Sequence, residues 1–571
     1  MKFNASASRV ISIFMTFSLF FFAVSCSQPD KVETRQELKN PLLAYAKLPA
    51  PKILGEKLNM LVTELDPTGQ AAMMMPMFLQ SYGYPNFDGI SDTDTVNLFI
   101  LGEPEEEEFS FLLFIKASQE TPLVTFLMGL PEMQMQQEGE WLIFADSPED
   151  IASIVDTNEL LGFAGESANY DIQLTTLTDS VIDLREKAME DLEKEFAASE
   201  EVSEDTKAFI KGFVGLVFDE MESIKTMEAG INISPEALAF AFNMEALGGT
   251  PLGKFLSQNP SGSVKGGQYI PSNYSMAGVV DFDPDITVEY WNYILDKVIA
   301  FAPPSYKAEV TNFKEVMASY TASVGSLSGF AFDFKDFSAQ TIQYVEGDLS
   351  DDQVHALYEY MAEGMVPRIN ELMQSSGDPE LKDFSLTGSY QRDAGELMGV
   401  TYHRYIQEMN MPEVEGDELP PEMQGMQTQE YYVVLHDGDL LLTTSEALLG
   451  DLLDAVINKK PVSNSVANLL SDEPGAIAQI NFDIISYYNN IFESMPEGFM
   501  GEPEGAQFMA IIQMLKSAGL PGVKYFVYAQ DNQGALEFEM PMTTLKLAVE
   551  TIAQGMAAAN AGGNPGTTPG M

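Results

Sequence analysis

A single cysteine, Cys26, occurs in 571 residues, so the chain can form no disulfide within itself and must be held by packing. Histidine is nearly as scarce. His355, His403 and His436 show no H-E-x-x-H spacing, and no second thiol is present to help complete a zinc set. Two tryptophans, Trp141 and Trp291, leave few platforms for stacking on sugars, although tyrosines can serve. Basic residues are the largest deficit: 30 Lys and Arg stand against 86 Asp and Glu, a net charge of −56. Such a field repels nucleic acid and anionic lipid. Only 20% of residues are charged, so the imbalance comes as much from missing cations as from added acids. Nucleotide-binding and hydrolase fingerprints are missing too. No P-loop or Rossmann pattern is present, and Gly325-Ser326-Leu327-Ser328-Gly329 has Leu327 where a nucleophile elbow needs serine. A paired-carboxylate glycosidase stays open, because such pairs obey no sequence spacing.

What is present begins at the N-terminus. Lys2 and Arg9 precede an apolar run from Val10 to Val24, and Ala23-Val24-Ser25 places small residues before Cys26. The run is short of the roughly 20 residues of a membrane span and has the anatomy of a cleaved export signal. The start resembles that of a bacterial lipoprotein, with the departure that Leu is commonest at the Ala23 position. That resemblance implies cleavage before Cys26, which would carry lipid as the mature N-terminus and anchor the chain to a membrane, most readily the outer membrane. An ordinary signal peptide cut after Ser25 also fits the small residues. Residues 26–40 then read as a polar tether, and Ala557 to Met571 is too rich in Gly, Pro and small residues to pack.

Between the ends, the sequence predicts an α+β protein in two tandem copies of one module, residues 41–262 and 263–558, with a tail at 559–571. Three units recur in one order. Val96 to Leu101 and Phe109 to Ala117, with a helix near Leu123, match Gly329 to Phe334 and Thr341 to Val345, with a helix from Asp351. Gly139 to Ser147, leading into a helix at Pro148, matches Gly438 to Ser445, leading into one at Glu446. In both, an acidic-Gly turn feeds a strand whose last serine can cap a helix. Ala237 to Phe242 matches Ala535 to Met540, and alternating strands at Asp171 to Leu174 and Gln479 to Phe482 precede long helical stretches. The body resembles a family of uncharacterised bacterial exported proteins through these turn, strand and Ser-Pro-Glu units and through Pro271 to Pro284. That resemblance implies an envelope location and no assigned activity.

The spacing between matched units grows in the second copy, which locates an insertion near 375–430. It holds two strands, Phe384 to Tyr390 and Gly399 to Tyr405, joined through Arg392-Asp393-Ala394-Gly395, and an acidic, Met-rich loop from Glu408 to Gln429. Loops on a rigid scaffold carry partner-specific function, so Met409, Met411, Met423 and Met426 are candidate contacts with a protein partner. The 32 methionines include clusters of a kind that binds Cu(I), but they lack nearby histidine and read as adaptable apolar surface. Asp281-Phe282-Asp283-Pro284-Asp285 has the first ligands of a calcium loop but Ile286 and Asn292 where Gly and Glu belong, so Asp283 reads as a helix cap. His355 and Glu359 stand one helical turn apart, the spacing of a shared metal or, more simply, of a surface pair. The sum is a lipid-anchored envelope protein, a non-enzymatic binding or scaffold component with no cofactor. The alternative is a carrier of an apolar ligand held between helices and sheet.

Overall fold

The computed structural model describes residues 42–65, 90–102, 109–130, 133–154, 157, 160–161, 170–177, 184–198, 203–258, 265–324, 329–335, 338–375, 385–410, 428–472, 475–494, 512–513, 516 and 521–550. Among these residues, eighteen strands form one antiparallel sheet. In the N-terminal half they are β1 (Leu42–Leu48), β2 (Val96–Leu101), β3 (Ser110–Lys116), β4 (Gln134–Glu138), β5 (Trp141–Ala145), β6 (Ile172–Leu177), β7 (Ile224–Ile233) and β8 (Ala237–Ala246). The C-terminal half contributes β9 (Met276–Val280), β10 (Gly329–Lys335), β11 (Ser338–Val345), β12 (Ser385–Leu397), β13 (Val400–Asn410), β14 (Thr428–His436), β15 (Asp439–Thr443), β16 (Ala476–Phe482), β17 (Val523–Gln530) and β18 (Gln533–Pro541). Pairing runs β4-β5-β3-β2-β1-β6-β7-β8 through the first half. It continues β18-β17-β16-β9-β10-β11-β15-β14 through the second, with β13 and β12 added at that end. The halves join where β8 pairs β18.

Short helices follow strands at the sites the turn and cap residues predict. After β3 comes α2 (Pro122–Leu127), where Thr121 accepts from the Val124 N–H, and after β5 comes α3 (Pro148–Ser153), capped by Ser147. The second half has α9 (Asp351–Tyr360) after β11, started by a Ser350/Gln353 capping box, and α11 (Glu446–Ile457) after β15, capped by Ser445. Gly139 and Gly438 take the left-handed conformation in the turns that feed β5 and β15. Other helices are α1 (Pro51–Leu65) after β1, α4 (Leu184–Ala198) and α5 (Glu204–Met221) after β6, and α6 (Pro251–Leu256) after β8. In the second half α7 (Pro284–Phe301) and α8 (Pro304–Thr321) follow β9, α10 (Val366–Ser375) extends α9, and α12 (Ile484–Ser494) follows β16. Residues 542–550 are helical after β18. At the first end of the sheet Val124 and Leu127 of α2 pack on one face against Leu142 and Phe144, and Ile151 of α3 packs on the other against Phe99 and Phe114. At the second end Val354 and Tyr358 of α9 and Leu449 and Leu453 of α11 take the same two positions.

The β12–β13 hairpin differs from its sequence reading. Arg392-Asp393-Ala394-Gly395 is not the turn. The pairing shifts register between Gln391 and Gly395, a bulge within β12, and the chain reverses at Met398-Gly399, both left-handed, between the paired Leu397 and Val400. The hairpin also has core duties, because Leu386, Tyr402 and Tyr405 are buried. A stretch of π-helix, Met361–Met365, links α9 to α10 and lets Ala362 approach Gly388 closely, where a Cβ would meet the Ala362 Cα at 3.0 Å. Beside it the Asn370 carboxamide accepts from the Leu386 N–H (2.7 Å) and donates to the Leu386 carbonyl (2.6 Å). A side chain thus completes the outermost strand's edge, where an open ladder invites foreign strands.

Asn370→Ala removes both bonds at a cost of about 1–3 kcal/mol, the usual penalty for unpairing buried polar groups. Hydrogen exchange checks it. The Leu386 amide should lose protection while amides of β14 and β15 keep theirs, and unchanged exchange at Leu386 refutes this role.

Candidate functional site

The junction of the two halves has two chemically opposite faces. On one, successive rows across β7, β8, β18 and β17 carry Glu228, Asn243, Ala535 and Tyr528, then Thr226, Glu245, Gln533 and Gln530. With Tyr170 and Glu537 these line an open hollow of about 450 Å³. Gln173 donates to Glu228 (3.1 Å), Asn243 donates to the Tyr170 hydroxyl, and Lys225 pairs with Glu245 at 2.8 Å. Two strands from Glu228 the Lys47 side chain is almost fully buried. Burial lowers the pKa of its amine, and the Glu228 charge opposes that shift. Burial raises the Tyr170 phenol. The hollow offers acceptors, amides and phenol edges to a polar or cationic group.

The opposite face is apolar. Leu174, Ala229, Phe242, Leu536 and Val527 form one cross-strand row, and Ile172, Ile231, Phe240, Phe538 and Tyr525 form the next. Helix α6 covers one end of this face through Leu252 and Leu256, which pack with Met244, Ala529 and Val527. Beyond it Leu174, Phe240, Phe242 and Leu536 are each about 40% exposed, an apolar strip larger than scattered surface residues provide.

A third cluster lies under the β12–β13 hairpin. His355 of α9 and His403 of β13 meet edge to face with ring centroids 4.6 Å apart, and both are buried. The Tyr390 hydroxyl lies 2.8 Å from His355 Nδ1, and the Asp393 N–H donates to His403 Nδ1 at 3.1 Å. That second bond leaves the proton of a neutral His403 on Nε2. Burial first, and then the neighbouring His355, lower the His403 pKa. Asp351 and Glu359 of α9 and Arg392 and Asp393 of β12 are the charged groups around the pair, and Arg392 is bound to Glu359 at 2.6 Å. His355 is therefore not a surface partner of Glu359. The sequence held the signal, because His355 falls on the buried stripe Val354, His355, Tyr358, Ala362.

Of the residues named from sequence, Met409 lies half-buried in β13, paired with Leu386. Cys26, Met411, Met423 and Met426 lie outside the described residues. Asp283 caps α7, accepting from the Asp285 and Ile286 N–H groups. Among the described residues no three His, Cys, Asp or Glu side chains converge as a metal set, and no helix is long and apolar enough to cross a membrane.

A folded His403 resists protonation while the unfolded chain protonates near pH 6.5. Its contribution to stability is complete above that pH and is lost as pH falls below it toward the lower folded value. The melting temperature should therefore drop between pH 7.5 and 5.5, and His403→Gln, which keeps an acceptor for the Asp393 N–H, should make that drop smaller. Parallel pH profiles for the two proteins would refute it. The chain matches no family model, no curated protein and no solved structure.

Proposed function

We propose that the protein is a lipid-anchored component of the bacterial cell envelope, built from two copies of one α+β module, that binds partners or ligands without transforming them. The observation that carries the two-copy reading is the strand order. The series β4-β5-β3-β2-β1-β6-β7-β8 and β14-β15-β11-β10-β9-β16-β17-β18 follow one spatial order when the strands are matched by their order in the sequence, which supports that reading. Phe240 and Phe538, the matched residues 298 positions apart (538 minus 240), face each other across the seam with rings 6.0 Å apart. The Ala246 N–H donates to the Asn532 carbonyl and the Met542 N–H to the Glu236 carbonyl, both at 2.8 Å, so each half grips the other's hairpin turn. This reciprocal contact is what a two-fold pair of modules produces.

Binding, rather than catalysis, is supported by the polar hollow and the apolar strip on opposite faces of the seam. The strip favours the second reading, a carrier of an apolar ligand, over a purely structural scaffold.

The anchor is tested by Cys26→Ala, which should move the protein from the membrane to the soluble fraction. An unmodified mature N-terminus in the wild type, found by mass spectrometry, overturns the anchor. The partner-contact proposal for Met411, Met423 and Met426 is tested by replacing residues 411–426 with a Gly/Ser linker. Long loops add slowly to closure entropy, so the melting temperature should hold, while partners crosslinked to the intact protein in its membrane should be lost. Retained crosslinks place binding elsewhere. Met409 is left in place there because it is part of β13.

A further inference from the structure

A second hollow, of about 370 Å³, lies on the helical side of the seam. It is walled by α6, by the first turns of α7 and by the turn between β17 and β18. Its apolar surface comes from Pro251, Ile286, Tyr290 and Tyr293, the last three on one side of α7 at helical spacing. Tyr290 is fixed by stacking on Phe255, with centroids 4.4 Å apart. The polar groups collect at the rim. Ser257 donates to Asn532 Oδ1 at 2.9 Å across the two halves, and Lys254 pairs with Glu289 at 2.9 Å. Both rim turns are open. Gly249 and Asn532 are left-handed, and a Cβ on Gly249 would meet nothing within 4 Å.

Next to Ser257, Gln258 is 5% exposed. Its oxygen accepts from the Asp283 N–H, while its buried Nε2 has no partner. Volume, apolar lining and a few convergent polar groups are the attributes of a small-molecule site.

We propose that this hollow binds a small amphipathic molecule, its apolar or aromatic body against Ile286, Tyr290 and Tyr293 and an uncharged or zwitterionic head at Ser257, Asn532 and the Lys254–Glu289 pair. The rim's one cation, Lys254, is already paired with Glu289, so a net-anionic head meets the field of −56 charges with no free cation on the rim to offset it. The inference rests on the binding reading above and gives it a ligand class. It also makes both halves necessary, because α6 belongs to the first and α7 with Asn532 to the second.

The test uses the uncharged fluorophore N-phenyl-1-naphthylamine and its anionic sulfonated relative on the full mature chain. The uncharged probe should bind saturably at one site, at least tenfold tighter than the anionic one. Ile286→Trp, which fills the hollow, should abolish that binding, and Phe242→Ser with Leu536→Ser on the exposed strip should leave it intact. A photoactivatable form of the probe on the wild-type protein should label peptides containing 249–257 and 286–293, which keeps the test independent of how Ile286→Trp folds. Saturable binding lost only in the strip variant, with labelling on β8 and β18, overturns this site and leaves the carrier reading standing. No saturable binding of either probe overturns both.

Discussion

The ladder between β8 and β18 is the contact on which the rest of the molecule depends. It is the one strand-to-strand pairing between the two eight-strand series among the described residues, and it runs without a bulge from Gln533 opposite Glu245 to Pro541 opposite Ala237. Because register in a strand pair decides which side chains share a face, this one ladder assembles the polar hollow on one side and the apolar strip on the other. A slip of one residue would set Phe240 or Phe242, depending on its direction, opposite Glu537. It would also separate Ala246 from Asn532 and Met542 from Glu236, the two bonds that hold each half's hairpin turn against the end of the other half's last strand.

Several of the scarce cations bridge separate elements. Lys57 of α1 reaches Asp171 before β6, Lys116 of β3 reaches Asp94, Lys314 of α8 reaches Asp296 of α7, and Arg368 of α10 reaches Glu309 of α8. The pair Lys254–Glu289, between α6 and α7, has a counterpart in Lys546–Glu64, between the helical stretch 542–550 and α1. Exposed pairs of this kind contribute about 0–1 kcal/mol each. Their use is orientation: in a chain where acids repel one another everywhere, a cation marks where two acidic elements are allowed to approach.

Local units were legible in the sequence because their causes are local. Glycine in a turn, a strand of alternating residues and a capping serine lie within a dozen positions, and Ser147 and Ser445 cap the helices their sequences announce. Long-range pairing has no such mark. Nothing in LLAYAKL shows that β1 sits between β2 and β6 as β9 sits between β10 and β16. Arg392-Asp393-Ala394-Gly395 has the composition of a turn, and tertiary contact decides otherwise: Glu359 holds Arg392 and His403 takes the Asp393 N–H, so the chain bulges and continues. The apolar residues of β8 were legible as a strand, but the exposure of Phe240 and Phe242 depends on which helices reach over them.

The order of strands in space also sets an order in time. β8 is complete at Ala246, yet its neighbour β18 does not begin until Gln533, so a chain made from its N-terminus holds an unpaired edge bearing Phe240 and Phe242 through nearly all the synthesis of its second half. An open edge with exposed aromatics is the template on which chains join one another wrongly. The first half therefore matures early but stays adhesive. Its safety during biogenesis depends on how quickly the last strand arrives, or on what shields β8 until it does.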